Sequence, residues 1–194
     1  MCGIAGLVTT PLPEASLTNY GQRMSQTLRH RGPDSHGVWC RPQDGVVLAH
    51  RRLAIQDLSE HGHQPMLSPS GRYCISFNGE IYNFQELATD LRALDYRFNG
   101  HSDTEVLLAA IEEYGIIGAV KIISGMFAFA LWDNKDHTLQ LCRDRLGEKP
   151  LYYGWVDGKF LFASELKAIE EVVDRAKLNT GLQGLGQFFR YGYI

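Results

Sequence analysis

Met1-Cys2 is the first place in this chain where residue types and spacing could do chemistry. Cys2 is small enough for the methionine to be trimmed, which would give one residue both a thiol and a free α-amine. Unperturbed, the thiol titrates near about pH 8.5 and the α-amine near about 7.7–8.0. A nucleophile and a base matched to neutral pH would then share a residue. The competing reading is a buried, inert thiol, because free cysteine is among the most buried residue types. Three other features ask to be explained together with it: Arg52 in Arg51-Arg52-Leu53-Ala54-Ile55, the string Asn78-Gly79-Glu80, and Asp103. Taken singly, they read as a solvated arginine, a strand-terminating turn and a carboxylate at a helix start.

The elements that must hold these residues follow from hydrophobic periodicity. Residues 3–8 form a buried strand stopped by Thr9-Thr10-Pro11, and Leu17, Tyr20, Met24 and Leu28 give a helix from Glu14 to Leu28 its apolar face. Gly32-Pro33 ends that segment. Strands Gly37–Arg41 and Val46–Ile55 are joined across Pro42-Gln43-Asp44-Gly45 as a hairpin, and a long polar loop runs from Gln56 to Gly71. The strand Arg72–Asn78 ends at Asn78-Gly79-Glu80. Asn83 with Glu86 then makes a capping-box start for a helix buried through Phe84, Leu87, Leu91 and Leu94. Ser102 with Glu105 repeats that signature and puts Asp103 in a first helical turn. Strands return at Met126–Trp132, Thr138–Arg143, Leu151–Val156 and Lys159–Ala163, the last pair joined by Asp157-Gly158, and Ser164 caps a short helix through Lys167–Glu170. Antiparallel hairpins with helices grouped in the middle fit an α+β protein of stacked sheets with helices outside.

Length and charge narrow the function. The chain has 194 residues and a formal net charge of −3, which suits one domain and gives no reason to expect nucleic acid or an anionic membrane as partner. No apolar run approaches a membrane span, and no basic leader precedes Cys2, so a cytoplasmic location is expected. Cys2, Cys40, Cys74 and Cys142 lie far apart, against a zinc site, and His61-Gly62-His63 reads as a surface pair. No phosphate-binding Gly-Lys-Ser/Thr string occurs, and Gly181, Gly184 and Gly186 read as linker.

Cys2, Arg52, Asn78-Gly79-Glu80 and Asp103, taken with His30-Arg31-Gly32-Pro33-Asp34 and the run Asp144-Arg145-Leu146-Gly147-Glu148-Lys149-Pro150-Leu151-Tyr152-Tyr153, closely resemble the class II glutamine amidotransferase domain. In particular they resemble the N-terminal domain of glutamine-hydrolysing asparagine synthetases. The resemblance implies an N-terminal-nucleophile hydrolase fold, a four-layer α/β/β/α sandwich. It implies that Cys2 attacks the side-chain amide of glutamine, with its own α-amine as base, and that ammonia leaves from a thioester. Asn78 and Gly79 would stabilise the oxyanion. Arg52 would take the glutamine carboxylate, and Asp103 with Glu80 the ammonium. Leu53, Ala54, Ile55 and Gln56 join the glutamine site by position. Arg51 takes the role of Arg52 if the register is shifted by one. Arg31 and Asp34 are expected to organise a nearby loop, and Asp144, Arg145, Tyr152 and Tyr153 to be structural or to face a partner domain.

The resemblance further implies residues 1–177 as the glutaminase domain, needing no cofactor or metal, and 178–194 as the start of a linker. The linker would lead to a synthetase domain of the same full-length chain that uses ATP and Mg to amidate aspartate. A relative amidating another carboxylate, such as a sugar acid, is a second reading, and a non-catalytic glutamine-binding domain a third. Homodimerisation is compatible with each.

Overall fold

A computed structural model describes residues 1–55, 59–174 and 181–192. Its first strand, β1 (Gly3–Val8), is paired on both edges, and the first sheet grows outward from it. After α1 (Glu14–Thr27) the chain forms β2 (Ser35–Arg41) and β3 (Val46–Arg52), and β3 returns alongside β1. A second sheet begins with the two-residue β4 (Met66–Leu67) and β5 (Tyr73–Ile81). It is interrupted by α2 (Phe84–Arg92) and α3 (Asp103–Ile122) and completed by β6 (Gly125–Asp133) and β7 (Thr138–Arg143). Strands β8 (Tyr152–Val156) and β9 (Lys159–Ala163) then rejoin the first sheet, before α4 (Leu166–Glu170) and α5 (Leu182–Tyr191). The strand orders are β2-β3-β1-β9-β8 and β4-β5-β6-β7, and every pairing is antiparallel.

Three apolar clusters set the layers. Ala5, Leu7, Val47 and Leu161 bury the outer face of the first sheet against Leu17, Met24 and Leu28 along α1 and Ala168 of α4. Ile75, Phe77, Phe127 and Phe129 bury the outer face of the second against Leu87 and Leu91 of α2 and Val106 to Ile111 of α3. Val46, Leu48, Cys74, Ala130, Trp132 and Phe162 fill the space between the sheets. Alternation along β3 sends Val46 and Leu48 inward and Val47 outward, as a strand buried on both faces requires. Gly6 keeps the inner layer thin: a Cβ there would lie 2.4 Å from the Val47 carbonyl and 2.5 Å from the Phe162 ring. The result is the expected α/β/β/α sandwich.

Several local expectations yield to long-range partners. Strand β3 ends at Arg52 rather than Ile55, because its last rung is the Asp34 N–H on the Arg52 carbonyl and the chain then peels away. Strand β5 does not stop at Asn78 but runs on to Ile81, with Asn78, Gly79 and Glu80 opposite Ala128, Phe127 and Met126. Pairing with β6 overrides the turn preference of Asn-Gly. Asn83 makes no capping bond on α2; its amide bridges the Ile122 carbonyl and the Ser124 N–H at the far end of α3, both at 2.9 Å. Leu94 lies past the end of α2 and is exposed. Ser102 does cap α3, while Glu105 turns to the Asn99 and Gly100 N–H groups instead of closing the box. Ser164 caps nothing: it exchanges bonds with Ile4 on β1 through its Oγ and its N–H, at 3.0 and 2.8 Å, and α4 starts at Leu166. The loop after β3 contains a short helical turn over Glu60–Gly62 and β4, with His61 and His63 both exposed. Helix α5 includes Gly184 and Gly186 of the segment read as linker, and leaves Leu182, Phe188 and Phe189 exposed. Of the linker assigned to 178–194, residues 181–192 are described. No described helix is long and apolar enough to cross a membrane.

Candidate active site

The alternation that builds the core also gathers the site. On β1, Ala5 and Leu7 face α1, so Gly6, Ile4 and, one step before the strand, Cys2 belong to the inner side. On β3 the inward stripe Val46, Leu48 continues to His50 and Arg52. The outward stripe reaches Arg51, whose Nε donates to the Ser25 carbonyl at 3.1 Å and whose Nη2 donates to Gln26 Oε1 at 2.6 Å, both on α1. Arg51 thus lies under α1, whereas Arg52 faces between the sheets. On β5, Ile75 and Phe77 face α3, which leaves Asn78 and Glu80 inward. Cys2, Arg52, Asn78 and Glu80 meet at one end of the inter-sheet space, around a cavity of about 90 Å³. Gly79, Asp103, Leu53 and Ile55 line the same cavity. Ala54 does not; its N–H donates to the Asp34 carboxylate at 2.8 Å, so Asp34 holds the loop that follows β3. Gln56 lies outside the described residues.

Cys2 is held from both sides. Its carbonyl accepts from Arg31 Nε at 2.9 Å, and Arg31 pairs with Glu165 at 3.0 Å. Its sulfur accepts the Leu53 N–H at 3.4 Å and approaches the Leu53 carbonyl at 3.7 Å. Burial pushes the thiol pKa up; the Leu53 N–H, the terminal ammonium and Arg52 pull it back only in part, and Asp103 adds to the rise. The thiol therefore rests protonated and needs a base when it attacks. Arg52 donates to the Ser59 carbonyl at 2.8 Å and lies flat on Gly62, where a Cβ would come within 2.0 Å of its Nη2.

Opposite the thiol stands a set of donors. Asn78 is 1% exposed and its Nδ2 has no hydrogen-bond partner. Along β5, the bonds of Tyr82 N–H to Ser124 and of the Arg72 carbonyl to Asn134 show that even-numbered residues address β6. Odd-numbered ones turn to the other edge, where Phe77 N–H meets Gln64 Oε1 at 2.6 Å and Ile81 N–H meets Asp103 Oδ2 at 2.9 Å. The Gly79 N–H lies between those two, on a stretch of that edge no described strand covers, and it borders the cavity.

Asp103 is 6% exposed. Burial raises its carboxyl to about 6 despite hydrogen bonds from Ile81 and Thr104, and the charge of Glu80 adds to the rise. Arg52 on one wall and Asp103 with Glu80 on another suit a zwitterion that brings its own carboxylate and ammonium.

Lys149, Gln64 and Thr104 also line the cavity, and sequence reasoning gave them no role. Lys149 is buried at the end of a loop organised by Asp144, whose carboxylate accepts N–H bonds from Phe127, Leu146, Glu148 and Lys149 at 2.9–3.2 Å. Burial pushes the Asp144 carboxyl up, yet those four donors hold it below the ordinary range. The signal for Lys149 was its place in the Asp144–Pro150 run; Gln64 and Thr104 carried none. Tyr152 and Tyr153 lie on the exposed strand β8.

The glutamine amidotransferase domain family matches residues 1–194 of this chain. Asparagine synthetase [glutamine-hydrolyzing] 1 of Bacillus subtilis is 40% identical over the whole chain, which spans 30% of that protein. Asparagine synthetase [glutamine-hydrolyzing] 2 of Oryza sativa is 41% identical over 90% of the chain and 29% of its own length. A putative asparagine synthetase of Methanocaldococcus jannaschii is 35% identical over the whole chain and 40% of its own length. The chain thus spans 29–40% of the length of these relatives. Among solved structures, glutamine phosphoribosylpyrophosphate amidotransferase from B. subtilis shares the fold, with a TM-score of 0.75 at 20% identity over 88% of this chain and 43% of that one. The allosteric regulatory enzyme of purine biosynthesis does so with a TM-score of 0.74 at 21% identity. The chain belongs to the glutamine amidotransferase domain family.

Proposed function

We propose that this chain hydrolyses glutamine to glutamate and ammonia through a thioester on Cys2, after removal of Met1. Met1 lines the cavity beside Cys2, so its loss would free the Cys2 α-amine and open that wall. Arg52 takes the substrate carboxylate, and Asp103 with Glu80 takes the ammonium, which sets the side-chain amide toward Cys2. The sulfur attacks the amide carbon while the α-amine accepts the thiol proton. That proton passes to the leaving nitrogen, the C–N bond breaks and ammonia departs. Water then adds to the thioester, the C–S bond breaks, and glutamate leaves with the thiol restored. Asn78 Nδ2 and the Gly79 N–H receive the oxyanion in both halves. The observation that carries this reading is Asn78 Nδ2, a buried donor left without a partner on the wall facing Cys2.

The ammonia feeds ATP- and Mg-dependent amidation of aspartate to asparagine in a synthetase domain that follows residue 194 in the full-length protein. The names and greater length of the relatives support this destination. Ammonia release and intact mass, for the parent and for Cys2→Ala, test the reaction. Release is expected only from chains lacking Met1 and carrying Cys2. Equal turnover by Cys2→Ala, or by chains that retain Met1, refutes it.

A further inference from the structure

Past Ile75 no described strand covers the edge of β5 that faces the cavity, and side chains stand in for one. Strand β4 pairs β5 only at Ile75 and Cys74. At Phe77, two residues on, both backbone groups turn to that same edge and are buried, so each needs a partner. The N–H finds Gln64 Oε1 at 2.6 Å, and the carbonyl finds His50 Nε2 at 2.9 Å. Because a carbonyl only accepts, the His50 proton sits on Nε2. Burial keeps the ring neutral, its pKa lowered to about 3, against the bond to Phe77, which favours the charged form.

His50 is an expensive choice for this place. It is 1% exposed, shares its stripe with Val46 and Leu48, and leaves Nδ1 with no partner. A leucine would satisfy the packing but abandon the Phe77 carbonyl. That carbonyl belongs to the Phe77–Asn78 peptide, so its orientation sets the backbone from which the Asn78 amide projects. Two residues after Phe77, on the same edge, comes the Gly79 N–H. Gln64 extends the support: its Nε2 reaches Thr104 Oγ1 at 3.3 Å, and that hydroxyl reaches Asp103 Oδ1 at 3.4 Å. Asp103 in turn holds Ile81 N–H, the next rung.

We infer that His50 and Gln64 are positioning residues for the oxyanion donors: they replace the absent strand at Phe77, fix the Phe77–Asn78 peptide, and leave the Gly79 N–H as the open rung. This rests on the proposed glutaminase reaction. The Gln64 amide is spent on Phe77 and Thr104 and the His50 Nε2 on Phe77, so their loss is expected to act on turnover rather than on substrate capture.

The test compares His50→Leu, His50→Gln and Gln64→Met with the parent. Ammonia release is expressed per Cys2 labelled to completion by 6-diazo-5-oxo-L-norleucine, which removes misfolded chains from the count. His50→Leu is expected to lower kcat by about 10- to 100-fold with KM for glutamine within about threefold, since a donor is misplaced rather than deleted. His50→Gln, which can still donate to the Phe77 carbonyl, should recover most of the loss. Gln64→Met, similar in length but without the amide, should show the same kcat-selective defect, and decides the matter should His50→Leu not fold. Unchanged kcat per labelled site in the variants that fold, or a His50→Gln as impaired as His50→Leu, overturns the inference. Ammonia release that survives Cys2→Ala would instead overturn the reaction itself, and this proposal with it.

Discussion

Asp103 should make the unliganded protein less stable than it need be. Its carboxyl is raised from an ordinary 3.8 to about 6, chiefly by burial, so the folded state resists its ionisation. Above both values the carboxylate is ionised folded and unfolded alike, and the difference corresponds to about 3 kcal/mol lost at neutral pH. The sign follows from proton counting. Between the two pKa values the folded chain holds a proton that the unfolded chain has released, so stability falls as pH rises through that window. By the same relation the penalty is only about 0.5 kcal/mol at pH 4. Asp103→Asn keeps an acceptor for the Ile81 N–H and removes the charge. Urea unfolding of the two proteins should therefore give nearly equal stability at pH 4 and a variant more stable by about 2–3 kcal/mol at pH 8. Saturating glutamine should stabilise a Cys2→Ala background and fail to stabilise Cys2→Ala/Asp103→Asn, because the substrate ammonium is the missing counter-charge. A gap that does not widen with pH, or glutamine stabilisation that survives the substitution, refutes the assignment of Asp103 as an ammonium ligand.

Four further substitutions probe the site and the fold that holds it. Asn78→Ala should lower kcat for ammonia release by about 10²–10³ with little change in KM, measured by steady-state assay. Arg52→Lys should raise KM for glutamine by about tenfold or more through loss of the planar fork. Arg51→Lys should leave KM unchanged and cost about 1 kcal/mol in thermal unfolding, since its partners are Ser25 and Gln26 on α1. Gly6→Ala should destabilise the fold by about 1–3 kcal/mol in denaturant titration, because the added methyl meets the Val47 carbonyl and the Phe162 ring.

What could be read from the sequence divides along the range of the interactions. Period-two runs and the long apolar face of α1 are local, and they mark most strands and helices within a few residues. The choice between Arg51 and Arg52 is not local in the same way: two adjacent arginines look alike until β3 is known to keep Val46 and Leu48 inward. Asn78-Gly79 reads locally as a strand end because its partner, β6, lies some fifty residues on, and a pairing at that distance leaves no mark at the dipeptide itself. Asn83 and Ser164 have the right types for helix caps but spend their side chains on Ser124, Ile122 and Ile4. Cys2, Asn78, Gly79 and Asp103 were recognisable together through a family resemblance, whereas the placement of Gln64 and His50 depends on which edge of β5 is left uncovered.

The clamp on the N-terminus has a consequence in time. Ile4 is bonded by Ser164, and the Cys2 carbonyl by Arg31, itself paired to Glu165. Of these anchors Arg31 follows early in the chain, whereas Ser164 and Glu165 are synthesised long after it. At about 5–20 residues per second, about 8–30 s separate the emergence of Cys2 from that of Glu165. Throughout that interval the start of the chain lacks the Ser164 and Glu165 bonds and can be held only by earlier partners such as β3 and Arg31. On the proposed reading of Cys2 as nucleophile, methionine trimming has that interval in which to act before Ser164 and Glu165 complete the wall.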